Sequence, residues 1–185
     1  MFTQQRRSRK ICLWEREMEE ESAFAKRVRK LNEMIDDPKE AEKFIDEGIL
    51  FQDAFGFSEE QMKDFYHFAR RLCEEERFQD ASDVFLVLTA LNPYVCHFWL
   101  GLGLCDKVAQ NYDIALYDYS MAVAVDRGNP YPYYNIADCY KRLGEENLSR
   151  EFINLCIERC EGDECYRVLL REAKIFIEEI DAKPC

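Results

Sequence analysis

Apolar positions in this chain recur at two spacings, a short one of three and four residues and a long one of 34. The short spacing is that of amphipathic helices. Phe24, Val28, Leu31 and Ile35 fall at i, i+4, i+7 and i+11 and predict a helix over 15–35, whose other face is dense in Glu, Lys and Arg. Asp37 followed by Pro38 is a stop and a new start, because Asp caps a helix and Pro suits its first position. A short helix to about residue 47 follows and ends at Gly48. The apolar stretch 49–57 leads to Ser58, which forms the pattern of a capping box with Gln61 three residues on.

The long spacing organises the rest. Ala69, Gly103 and Ala137 are 34 residues apart, as are Ala81, Ala115 and Ser149, and Phe85, Tyr119 and Ile153. A large residue stands four positions before each member of the first set: Phe65, Trp99 and Tyr133. This period marks tetratricopeptide arrays, whose helix-turn-helix units bury their apolar faces only by stacking on one another. The expected fold is all-α, a superhelical tetratricopeptide array. Three repeats occupy 58–161, an N-terminal helical region 15–57, and a C-terminal capping helix and tail 162–185. Residues 1–14, with Arg6, Arg7, Arg9 and Lys10, read as a mobile basic tail, and Met18 is an alternative start.

Counting each repeat from Met62, Cys96 and Pro130, positions 4, 7, 8 and 11 share one helical face. They hold Phe65, Phe68, Ala69 and Leu72 in the first repeat and Tyr133, Ile136, Ala137 and Tyr140 in the third. Ala81, Phe85 and Leu88, then Ala115, Tyr119 and Ala122, form the matching face of the second helices. This stripe is expected to be core. In the second repeat Trp99, Leu102 and Gly103 fit, but Asp106 takes the fourth place. A lone buried carboxylate is costly, so either Asp106 sits at an inner edge with a partner or the helix is rotated locally.

A second stripe, at positions 2, 5, 9 and 12, holds Lys63, Tyr66, Arg70 and Cys73, then His97, Leu100, Leu104 and Lys107, then Tyr131, Tyr134, Asp138 and Lys141. First helices line the concave face of such arrays. Large apolar and aromatic groups on a nominal surface suggest a peptide groove. The candidate groove residues are Tyr66, Arg70, His97, Leu100, Leu104, Lys107, Tyr131, Tyr134 and Asp138. On this reading Tyr134→Glu abolishes binding and leaves the fold intact. The plainer alternative is that the N-terminal segment or the terminal helix folds back over the stripe.

Charge and composition narrow the function. The 185 residues carry a net charge of −12, which disfavours nucleic acid and anionic membranes as partners. No apolar run reaches the ~18 residues of a membrane span, so no membrane insertion is expected. Glu15, Arg16 and Glu17 interrupt what could have been the core of a signal peptide. A cytoplasmic location with reduced thiols is therefore expected for the nine Cys. Cys156, Cys160 and Cys165 lack a C-x₂-C pair and a nearby His, so no metal site is expected. His67 and His97 have no fitting nucleophile, and the LGLGL segment lacks the third Gly and the strand of a dinucleotide site. Neither catalysis nor a cofactor is expected.

Two segments, FWLGLGLCDK from Phe98 and NPYPYYNIADCYKRLG from Asn129, resemble the class II chaperones of bacterial type III secretion. Those are small acidic cytoplasmic proteins of three tetratricopeptide repeats that hold hydrophobic translocators before export. The resemblance implies a groove for an extended apolar segment, lined here by Tyr66, Leu100, Leu104 and Tyr134 with Tyr131 and His97 nearby. It implies hydrophobic translocator proteins of a type III secretion system as partners, and a homodimer through the 15–35 helix. Three features depart from the family pattern: Arg70 in place of an apolar residue, Glu76 and Gln110 in place of turn glycines, and the basic extension before Glu15. A different tetratricopeptide adaptor or scaffold stays open. Its carboxylate-clamp form finds only Arg70 as a plain cation among Tyr66, Arg70, Gly101, Tyr131 and Asn135.

Overall fold

A computed structural model of the chain describes Gly48 and residues 50–182. Two units divide the chain, Met1–Phe57 and Ser58–Cys185. In the first, the described part is Gly48 and 50–57, with one helical turn α1 (Phe51–Ala54) whose flanking Phe51 and Phe55 rings stack at 6.3 Å. The predicted 15–35 helix, and the dimer contact assigned to it, lie outside the described residues, as do the basic tail and the helix ending near residue 47.

The second unit is the repeat array. It runs α2 (Glu59–Glu74), α3 (Phe78–Leu91), α4 (Cys96–Val108), α5 (Tyr112–Val125), α6 (Pro130–Leu143), α7 (Glu146–Cys160), a 3-10 turn (Glu164–Tyr166) and α8 (Arg167–Asp181). The described residues contain no strand. Within this unit, each pair of consecutive helices from α2 to α8 packs together. Ser58 opens α2 as its sequence predicts, accepting from Gln61 N at 3.2 Å while its own N–H donates to Gln61 Oε1 at 2.9 Å.

The turn between the two helices of each repeat is the same structure three times. Glu76, Gln110 and Gly144 all adopt positive φ, at 60°, 63° and 82°. Behind each, the next N–H reaches back to the last turn of the first helix: Arg77 to Leu72, Asn111 to Asp106 and Glu145 to Tyr140, all at 2.9 Å. These bonds satisfy carbonyls that a helix end leaves open. The left-handed conformation favours glycine, yet the array imposes it on a Glu and a Gln.

Within each repeat the small residues set how closely the helices approach. Ala69, Ala81, Ala115, Ala137 and Ser149 are fully buried. A Cβ on Gly103 would stand 2.8 Å from the Tyr119 ring, and one on Gly101 2.3 Å from the Phe85 ring. Ser149 replaces the usual alanine and donates its hydroxyl to the Ala137 carbonyl at 2.8 Å, so the polar atom is satisfied.

The packing stripe is buried at Ala69 and Leu72 of the first repeat and through most of the second and third, and is corrected at two positions of the first. Leu102, Tyr133 and Ile136 are buried, but Phe65 and Phe68 are 37% and 42% exposed. Ile136 is covered by Ala115 and Tyr119 of the preceding repeat. The described part of this unit has no helix ahead of α2 to do the same for Phe68. At the other end the terminal helix α8 packs Leu169, Ala173, Phe176 and Ile180 on Tyr133, Ile153, Cys156 and Cys160. Val168 and Ile175 of the same helix are 58% and 50% exposed. Among the described residues no helix is long and apolar enough to cross a membrane.

Candidate binding cavity

The stripe at positions 2, 5, 9 and 12 opens, over part of its length, onto a cavity of about 870 Å³. From α2 it receives Tyr66, Arg70, Cys73 and Glu74, and from α4 His97, Leu100, Gly101 and Leu104. Both sets follow the three-and-four spacing that puts residues on one helical face. Phe78 and Phe85 of α3 reach it from behind. Asp126, Asn129 and Tyr131 line it further on, and Tyr166 of the 3-10 turn completes the lining.

Aromatic contact orders its first half. The Tyr66 ring meets Phe85 at 6.2 Å, Phe98 at 5.9 Å and His97 edge-on at 6.2 Å. Burial pushes the Tyr66 hydroxyl above its ordinary pKa, and the hydrogen-bonded Arg70 guanidinium offsets this only in part. Gly101 explains how Phe85 reaches the cavity from a second helix. With no Cβ on Gly101, the Phe85 ring packs directly against α4. Arg70 is not a free cation, since it pairs with Glu74 one turn on at 3.5 Å. The far half is organised by Asn129, which caps α6 by accepting from Tyr131 N at 3.1 Å. Tyr131 then meets Tyr166 edge-on at 6.0 Å. Asp163 fixes the turn that carries Tyr166 by accepting from Cys165 N at 2.8 Å.

Six of the nine candidate residues therefore meet in one cavity: Tyr66, Arg70, His97, Leu100, Leu104 and Tyr131. The other three are elsewhere. Tyr134 packs edge-on against Phe176 of α8 at 5.7 Å; the terminal helix covers it, as the plainer reading of the stripe allows. Lys107 and Asp138 are paired at 3.1 Å, with Lys107 Nζ also donating to Asn135 Oδ1 at 2.8 Å and Arg142 Nε 3.2 Å from Asp138. That clasp joins α4 to α6 and consumes both charges. Phe85, Gly101, Asp126, Asn129 and Tyr166 line the cavity without having been picked out. Gly101 carries a signal in its sequence, a glycine inside a helix, whereas nothing local marks Tyr166.

The thiols are mostly core. Cys96, Cys105, Cys139, Cys156 and Cys160 are buried. Burial raises Cys96 and Cys139 to about 11, which removes the thiolate that metal binding and nucleophilic attack require. Cys156 and Cys160 pack among Ile153, Leu169 and Ala173.

No family model matches the chain. The low calcium response locus protein H of Yersinia pestis is 31% identical over 88 residues, which is 48% of this chain and 52% of that protein. The chain thus spans about half the length of the curated relatives it matches. Among solved structures, the Yersinia enterocolitica type III secretion chaperone SycD in complex with a peptide of the translocator YopD superimposes with a TM-score of 0.65 at 26% identity, covering 67% of this chain and 95% of that one. PcrH, from Pseudomonas aeruginosa, in complex with the chaperone binding region of PopD gives a TM-score of 0.67 at 24% identity, covering 69% and 96%. The fold of the array is that of these chaperones.

Proposed function

We propose that this chain is a cytoplasmic chaperone of type III secretion translocators and that it holds an extended apolar segment of its client in the cavity between α2, α4 and α6. The observation that carries this reading is the cavity itself. Tyr66, Leu100, Leu104 and Tyr131 present apolar surface to solvent at one place, with Phe85 packed behind them, in a fold whose relatives were solved holding translocator peptides. Aromatic and aliphatic side chains fixed on helices lose little entropy on contact and suit an apolar ligand. The lining carries one paired cation and two carboxylates, Arg70 with Glu74 and Asp126, so recognition rests on apolar fit and main-chain polar contacts. The high negative charge keeps such a surface dispersed. The role is binding rather than catalysis. The domain limits are read as an array over 58–161 closed by 162–185, and a homodimer through 15–35 completes the proposal.

The test is co-expression with a translocator that carries apolar helices, followed by binding of a synthetic peptide spanning the PopD chaperone binding region. Wild type should keep the translocator in the soluble fraction. Leu104→Asp and Tyr66→Glu should weaken peptide binding at least about tenfold, the cost of a desolvated charge in an apolar site. A translocator that is equally soluble with and without the chain would sink the proposal.

A further inference from the structure

Two enclosed polar atoms among the described residues lack a hydrogen-bond partner, and they are neighbours on α5: Asp118 Oδ2 and Tyr119 Oη. Asp118 is 2% exposed. An ionised carboxylate sealed in that way is strongly unfavourable unless a cation or donors meet it. None of the ion pairs among the described residues involves it. The group that does face it is Asp106 of α4, within hydrogen-bonding range. Two carboxylates cannot hydrogen-bond to each other, whereas a carboxylic acid can donate to a carboxylate.

The surroundings decide which of the two is the acid. Asp106 is half-buried, and Asn111 Nδ2 lies 3.5 Å from its Oδ1, so it is the better place for the negative charge. Asp118, with an enclosed and unpartnered oxygen, is the better place for the proton. From α4, the flanking Cys105 turns to Cys73 and Lys107 to Asp138 and Asn135. From α6, Asp138 is held by Lys107 and Arg142, Arg142 also bonds Tyr112, and Cys139 and Asp138 face Tyr119. None of these cations is among the groups that act on Asp118.

We propose that Asp106 and Asp118 share a single proton, which latches α4 to α5 in the second repeat. The latch sits at the position where the neighbouring repeats carry Leu72 and Tyr140, on the helix that supplies Leu100 and Leu104 to the cavity wall. It does not depend on what the cavity binds.

The direction of the effect follows from linkage. Burial, reinforced by Asp106, lifts the Asp118 carboxyl from 3.8 to about 7. Between those values the folded chain holds a proton that the unfolded chain has released, so this contribution to stability is complete below about pH 4 and is lost by about pH 7 as pH rises.

Two measurements test it. Carboxyl-carbon NMR of selectively labelled wild type should show one Asp of the pair titrating near neutrality; both titrating below about pH 5, the ordinary carboxylate range, overturns the proposal. Thermal melts of wild type and Asp118→Asn from pH 5 to pH 8 should diverge. The amide donates to Asp106 at every pH, so the variant should gain several degrees over wild type at pH 8 relative to their difference at pH 5. A constant difference across that range overturns it. So does stabilisation of wild type, but not of Asp118→Asn, by millimolar magnesium or calcium at pH 8, which would place a cation where the proton is assigned.

Discussion

At the scale of single residues, the array overrides local preference where repetition demands it. Gln110 sits at φ 63° because the bond from Asn111 N to the Asp106 carbonyl can form only if the chain turns left-handed there. A non-glycine residue in that region carries a cost of roughly 1–2 kcal/mol, part of which glycine returns through its freer unfolded state. Gln110→Gly should therefore stabilise the protein by about 1 kcal/mol, seen as a higher urea midpoint at unchanged slope. The missing turn glycines were visible in the sequence, but their consequence was not. A residue type reports what is easy, and the backbone at 76 and 110 is held by hydrogen bonds to residues several positions away. Asp106 behaves similarly. Its misfit was plain from the periodicity and so was its need for a partner, but a second carboxylate as that partner appears only when α5 is laid against α4.

At the scale of elements, the helices and their packing faces were legible because both are set by neighbours three, four or 34 positions along the chain. What covers a given face is set by longer-range geometry and was not. Tyr134 has the spacing of a groove residue, yet α8 returns over it and brings Phe176 to its ring. Lys141 lies over the other contact of that ring, 4.3 Å from the Phe176 centroid, and pairs with Glu179 at 2.8 Å. Phe176→Ala should cost about 3–5 kcal/mol, the usual range for a buried Phe, measured by chemical denaturation. Tyr134→Glu, expected from periodicity to leave the fold untouched, should instead lower the melting temperature by about 5 °C. It places a carboxylate against an apolar ring and near Asp138, Glu172 and Glu179, the acids that already raise the Tyr134 hydroxyl in addition to its burial. A melt indistinguishable from wild type would return Tyr134 to the groove.

For the whole molecule, the charge of −12 is the dominant long-range term. Like charges within one chain repel in the folded state more than in the expanded one, and salt screens that repulsion over about 10 Å at 0.1 M. Raising sodium chloride from 20 mM to 500 mM should raise the melting temperature, while affinity for an apolar peptide should change little or improve. A steep loss of affinity with salt would point to ionic recognition instead. Most contacts in the array join elements that follow one another along the chain, and this has a consequence for the nascent protein. Low contact order favours fast folding, and synthesis proceeds at about 5–20 residues per second, so each repeat has time to close before the next leaves the ribosome. The cavity, however, draws on Tyr66 at one end and Tyr166 at the other. Its last wall is laid down only when the 3-10 turn ahead of α8 emerges, so the three repeats can fold before their binding surface is complete.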